Sequence, residues 1–233
     1  MAITEISKIS IYGSSPYGPA VQNYFSMEIH LSGGRKYNGR EEIYWSSVRD
    51  FIVAKGITQL LFLGTAAETH PGPLALQFFR ERVQLPKKIQ ILDAEIETDV
   101  ALADNPTVYV LGGMKQLELL NFITTNPKLE NLIRTCPYYF GESMGAKLIG
   151  SKLRVGVPGT SLVAGLGILE STIIEGHYSQ KQRQSVLREE VKSGKLKFGL
   201  GIDEDAEVVT TPELFPKFQK LGPGLVKLIT QPH

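Results

Sequence analysis

The sequence is short of several things, and each shortage excludes a class of protein. It has one cysteine, Cys136, in 233 residues, so no intrachain disulfide can form and a reducing compartment is expected. It has no excess of charge. Lys plus Arg number 25 against 24 Asp plus Glu, a net of +1, which offers nothing to nucleic acid or to an anionic membrane surface as a main partner. No apolar run approaches the length of a membrane span. The opening Met1-Ala2-Ile3-Thr4-Glu5 lacks the basic and apolar regions of a secretory signal. The expected location is the cytoplasm. No repeat, low-complexity tract or Pro/Gly/Ser linker divides the chain, so a single domain over 1–233 is expected. With 42% hydrophobic and 21% charged residues, a chain of this length can build its core without metals or cross-links.

What is present changes rhythm along the chain. Residues 6–12 and 24–31 alternate apolar and polar, the second with Phe25, Met27, Ile29 and Leu31 on one face. Gly33-Gly34 is a hairpin signal and 36–44 reads as the return strand. Ser46 or Ser47 then caps a helix closed by Gly56. From residue 57 to about 210 short apolar strands alternate with helices: strands at 59–63, 89–92, 107–111, 138–140, 171–174 and 207–210, helices at 71–83, 116–123 and 180–191, and a last strand at 226–229. Strand, loop and helix in alternation imply a mainly parallel sheet with helices on both faces, here behind a strand-rich N-terminal extension covering 1–45.

The segment that carries chemistry is Gly141-Glu142-Ser143-Met144-Gly145. It fits Gly-x-Ser-x-Gly, the strained strand-to-helix turn that exposes a serine nucleophile and requires small flanking residues. The Met144 amide would face an oxyanion there. Gly112-Gly113 closes the strand at 107–111, so the Gly113 or Met114 amide is the candidate second donor. A serine nucleophile needs a base, and there are four histidines, His30, His70, His177 and His233. His233 is terminal and His30 falls on the polar face of an edge strand, where a solvated ring is expected. His177 and His70 each follow a strand C-terminus, where sites form in α/β sheets, and position favours His177. Gly201-Ile202-Asp203-Glu204-Asp205 reads as a solvated acidic turn without the ligands of a calcium loop. Gly165-Leu166-Gly167 lacks the rest of a nucleotide fingerprint, and Cys136 reads as a buried structural thiol. No cofactor or metal is called for.

Taken together, these stretches resemble the dipeptidase E and cyanophycinase family of serine peptidases. The resemblance is carried by residues 108–117, by Tyr139-Phe140-Gly141-Glu142-Ser143-Met144-Gly145-Ala146, by Gly165-Leu166-Gly167-Ile168-Leu169 with His177-Tyr178-Ser179-Gln180 and Arg183, and by Gly201-Ile202-Asp203-Glu204-Asp205. It implies a class I glutamine-amidotransferase-like fold, a three-layer α/β sandwich around a flavodoxin-like sheet. It also implies hydrolysis of small peptides or amides, with Ser143 as nucleophile, His177 as base, and Gln116 and Arg183 on the substrate side. The chain departs from the family's pattern in places. Met144 stands where the family has alanine, Lys181 stands where an arginine is expected, and residues 156–161 carry no carboxylate where the triad acid usually lies. Glu175, two residues before His177, occupies a substrate-side position and is the tentative third member. The alternatives are an inactive relative serving as a binding or assembly module, and an amidotransferase-type domain, which the serine in place of a cysteine disfavours. Nucleic acid and membrane are not expected partners. The oligomeric state stays open, with a homodimer one option.

Overall fold

The computed structural model describes residues 26–34, 41–67, 73–96, 106–155 and 161–231. The expected strand at 6–12, most of the return strand, His70 and His233 lie outside them. Among the described residues there are twelve strands and six helices: β1 Glu28–Ser32, α1 Glu41–Ala54, β2 Gln59–Leu63, α2 Pro73–Val83, β3 Gln90–Asp93, β4 Thr107–Val110, α3 Gln116–Thr124, α4 Pro127–Thr135, β5 Tyr138–Glu142, α5 Met144–Leu148, β6 Gly150–Val155, β7 Ser161–Ala164, β8 Leu169–Gly176, α6 Gln184–Lys192, β9 Phe198–Ile202, β10 Glu207–Thr210, β11 Gln219–Leu221 and β12 Val226–Thr230.

These strands form two sheets, where the alternating rhythm suggests one. The first runs β11-β10-β1-β5-β4-β2-β3 and the second β12-β9-β8-β6-β7. In the first, the four pairings from β1 through β5, β4 and β2 to β3 are parallel and β10 and β11 add antiparallel. In the second, β6, β8 and β9 are parallel, with antiparallel β7 and β12 at the edges.

Period-2 alternation sorts the first sheet's side chains into two cores. Leu60, Phe62, Tyr109 and Phe140 pack with Trp45, Val48 and Ile52 of α1 and Phe79 of α2. Leu61, Leu63, Val108, Val110 and Tyr139 pack with Leu119 and Ile123 of α3 and Leu129 and Ile133 of α4, in a cluster that continues into Leu153, Ile174 and Leu200 of the second sheet. The fully buried rings of Trp45, Phe62, Phe79 and Tyr109 pack against one another, and truncating Phe62 or Phe79 to alanine costs about 3–5 kcal/mol.

The N-terminal expectation is corrected in its described part. Residues 28–32 do not make a hairpin with a following strand; β1 is an inner strand between β5 and β10. Residues 41–45 are helical. Ser46 and Ser47 do not cap that helix, because each hydroxyl donates back to a carbonyl within it. His30 is buried, not solvated, because its strand has neighbours on both sides. The helix expected from 180 begins at Gln184, since 178–182 form the turn that follows His177.

Candidate active site

β5 delivers Gly141 and Glu142, Ser143 turns, and α5 starts at Met144. Ser143 has φ 50° and ψ −98°, a conformation that a non-glycine residue adopts only when its surroundings impose it, at a cost of about 1–3 kcal/mol. The flanking glycines impose it by close approach. A Cβ on Gly141 would lie 2.7 Å from the Gly145 carbonyl oxygen, and one on Gly145 would lie 2.3 Å from Val110 O. The Ser143 amide donates to Ser32 O at 2.8 Å, and Tyr139 OH donates to Gly145 O at 2.7 Å. The turn is thus held from β1, β4 and β5 together.

His177 follows the end of β8, also with positive φ (51°). Its amide donates to Gly33 O at 2.7 Å. Gly33-Gly34, read from sequence as a hairpin signal, is instead the floor on which the His177 ring rests. Gly34 has φ +114°, and a Cβ there would fall 2.3 Å from His177 Cε1. The C-terminal end of β1 therefore touches both Ser143 and His177.

The functional geometry is a chain of two hydrogen bonds. His177 Nε2 lies 2.9 Å from Ser143 Oγ, and His177 Nδ1 lies 2.8 Å from Glu204 Oε1. With Glu204 as acceptor, the imidazole proton sits on Nδ1, leaving Nε2 to accept from the Ser143 hydroxyl. Burial lowers the His177 pKa below its usual 6.5, outweighing the hydrogen bond to Glu204, and the nearby charges of Lys181 and Lys147 act in the same direction. The ring is neutral at pH 7, the state a general base needs.

Glu204 corrects two sequence expectations. The turn Gly201-Ile202-Asp203-Glu204-Asp205 is not a solvated acidic turn. Asp203 is buried and accepts from the Ser179 amide (2.8 Å) and the Leu225 amide (3.3 Å). The Glu204 amide donates to Gln180 Oε1 at 3.3 Å. Tyr178 packs where a Cβ on Gly201 would stand, 2.4 Å away. Residues 177–180 and 201–204, separate stretches in the sequence, are one clasp. Adjacent parallel strands make it: β8 and β9 pair Gly176 with Ile202, so the residues after each strand emerge side by side. Glu175, the tentative third member, is elsewhere. It is 1% exposed and accepts from Arg154 Nε at 2.8 Å, with Lys147 Nζ 4.0 Å away. Two residues along the strand from His177, it faces that buried pair and not the imidazole nitrogens.

The remaining expected residues surround this chain. Gly112 abuts Ser143, since a Cβ on it would lie 2.9 Å from Ser143 Cβ, and Gly113 presses on Ala66 O, 1.7 Å from its notional Cβ. Met114 is exposed, and Met144 is buried in the core, so the Met144 side chain does not narrow the approach to Ser143. Gln116 opens α3 with its Oε1 buried and no hydrogen-bond partner among the described residues. Arg183 stands at the N-cap of α6. Cys136 is buried, and burial pushes its thiol up to about 12, which rules it out as a competing nucleophile. Among the described residues, no group of three or more His, Cys, Asp or Glu side chains could hold a metal ion, and no helix is long and apolar enough to cross a membrane.

No protein-family model matches the chain. No curated protein matches it either. Among solved structures it is similar to the crystal structure of a peptidase from an acI-B1 Actinobacterium, with a TM-score of 0.60 at 17% identity, covering 91% of this chain and 97% of that one. At that identity the likeness is one of fold: a mixed α/β architecture shared with a protein called a peptidase.

Proposed function

We propose that this protein is a serine hydrolase, a peptidase or amidase acting on small peptides, with Ser143, His177 and Glu204 as its triad. The supporting observation is the unbroken chain from Ser143 Oγ through both imidazole nitrogens to the Glu204 carboxylate, held at a serine whose backbone is strained in the manner of a nucleophile elbow. In this reading Ser143 Oγ attacks the substrate carbonyl carbon as its proton passes to His177 Nε2. The Met144 amide, with the Gly113 or Met114 amide, receives the developing oxyanion. The C–N bond breaks as His177 returns the proton to the leaving amine. Water then repeats the sequence on the acyl-enzyme, and Glu204 holds the ring and stabilises the imidazolium throughout. Gln116 and Arg183 face the substrate, and the resemblance to dipeptidase E and cyanophycinase supplies both the flavodoxin-like description of the fold and the small-peptide preference.

A panel of dipeptides, tripeptides and amino-acid amides tests the reading. The wild type releases free amino acid or amine from a subset of the panel, and Ser143→Ala at the same concentration releases none. Equal turnover by the two proteins would move the nucleophile elsewhere.

A further inference from the structure

Behind the triad lies a second set of charges. Ser143 and Lys147 are one helical turn apart at the start of α5, and Glu175 and His177 are two residues apart at the end of β8. Four residues of helix rise about 6 Å and two residues of strand about 6.6 Å, so the two pairs meet in step. One rung is Ser143 Oγ to His177 Nε2 at 2.9 Å. The other is Lys147 Nζ to Glu175 Oε2 at 4.0 Å. The second rung is fixed from a third element. Lys147 Nζ donates to Arg154 O at 2.7 Å, Arg154 Nε donates to Glu175 Oε1 at 2.8 Å, and Arg154 Nη2 donates to Glu190 Oε1 on α6 at 3.1 Å. The network therefore grips the elbow helix, the strand leading into the base and the helix that follows it.

Lysine, arginine and glutamate are costly to desolvate, and an apolar filling of the same space is often as stable, so stability alone gives little reason for a lysine at this position. Its charge, by contrast, has a defined effect. The groups facing His177 are Glu204 from the turn after β9, Lys181 from its own turn and Lys147 from α5. Those facing Lys147 are Glu175, Arg183, Lys181 and Arg154. Burial holds the Lys147 ammonium down to about 8, so most of it is charged at pH 7. A cation there disfavours a second cation on the imidazole.

Resting on the serine-hydrolase reading, we propose that Lys147 is a positioning residue of the catalytic pair: seated on Glu175 and the Arg154 carbonyl, it locks the elbow helix against β8 and sets its ammonium one helical turn from Ser143.

The test uses Lys147→Met, which leaves the Arg154–Glu175 pair in place, Lys147→Gln, which can still donate to Arg154 O, and Lys147→Arg, which keeps the charge. The rate at which a fluorophosphonate labels Ser143 is followed against pH, and the His177 ring is titrated by NMR, its signal assigned by its loss in His177→Asn. In either neutral variant, the acid limb of labelling and the His177 titration both move upward by about half a unit or more, and plateau labelling falls about tenfold. Lys147→Arg returns both midpoints to the wild-type value. A lysine that only supports the fold lowers the melting temperature and leaves both midpoints unmoved, which overturns the proposal. A wild type that never labels defeats the hydrolase reading, and with it the proposed role at the catalytic pair. The NMR titration then shows separately whether Lys147 biases the ring.

Discussion

Two histidines of this molecule, His30 buried and His177 half-buried, have opposite proton preferences. His30, on β1, is stacked on Phe140 with ring centroids 4.5 Å apart. It lies between two carboxylates, Nδ1 2.7 Å from Glu207 and Nε2 3.1 Å from Glu28. Both nitrogens then donate, which only the imidazolium can do. Burial works against that charge, but the hydrogen bonds to Glu207 and Glu28 outweigh it and raise the His30 pKa. The hydrogen bond to His30 in turn holds the Glu28 carboxyl down to about 2. His177 has one carboxylate, one hydroxyl and two lysines around it, and its pKa is lowered. The same side chain is held toward its charged form at one site and toward its neutral form at the other. The difference comes from replacing one carboxylate with a serine hydroxyl and adding cations nearby.

The largest expected effect separates the two rings. His177→Ala lowers kcat/KM by about five orders of magnitude or more, measured on whichever panel peptide the wild type cleaves. Glu204→Gln comes next, at about 10³–10⁴-fold, because an amide cannot hold the ring in the same way or stabilise the imidazolium. Glu175→Gln costs at least about tenfold less, since Glu175 never meets the imidazole. If the Glu175 variant were the weaker enzyme of the two, the acid would be misassigned. Gly34→Ala puts a methyl where the His177 ring lies and strains a residue at φ +114°. Displacing the base in this way costs about 10–100-fold in kcat/KM while KM moves little.

His30→Gln gives the smallest effect on activity and a distinct one on stability, about 1–3 kcal/mol near pH 6 by chemical denaturation. Its pH dependence has a definite sign. A raised folded pKa gives stability that is fully present below the unfolded value of about 6.5 and is lost as pH rises through the folded value. The gap between wild type and His30→Gln therefore narrows toward alkaline pH. His177, with its pKa lowered, runs the other way: the competent neutral ring is held above about pH 6.5 and lost as pH falls through the lowered value. Its acid limb in kcat/KM should lie below 6.5, and a gap at His30 that widened with pH would undo the contrast.

That Ser143 stands on a tight strand-to-helix turn and that His177 follows a strand end were legible because those signals are local. Glycines flank Ser143 for reasons of close approach, and His177 comes just after an apolar strand. Glu204 was hidden because its strand is hidden. Phe198–Ile202 carries Gly199 and Gly201, which read as breakers, yet Leu187 and Tyr178 fill the space their side chains would take. Without β9 the turn after it has no place beside His177. β6 is masked in the sequence for a similar reason: Gly150 starts it, and its pairing with β8 shifts register between Gly150 and Lys152. α4 does carry a start signal, Asn126 capping Leu129 N with Pro127 in the first turn, but it follows α3 too closely to separate by periodicity alone. His30 shows the limit on the other side. The polar partner that raises its pKa, Glu207, is 177 residues away in the chain, and only the pairing of β1 with β10 brings the two together.

Fluorophosphonate labelling followed by peptide mapping tests the central claim most directly, because it needs no knowledge of the substrate and reports only a serine activated by a working base. The account predicts one label per chain, on the peptide containing Ser143, formed at full rate at neutral pH and lost in Ser143→Ala. A folded wild type that takes no label at neutral pH, or takes it at another residue, would contradict the account.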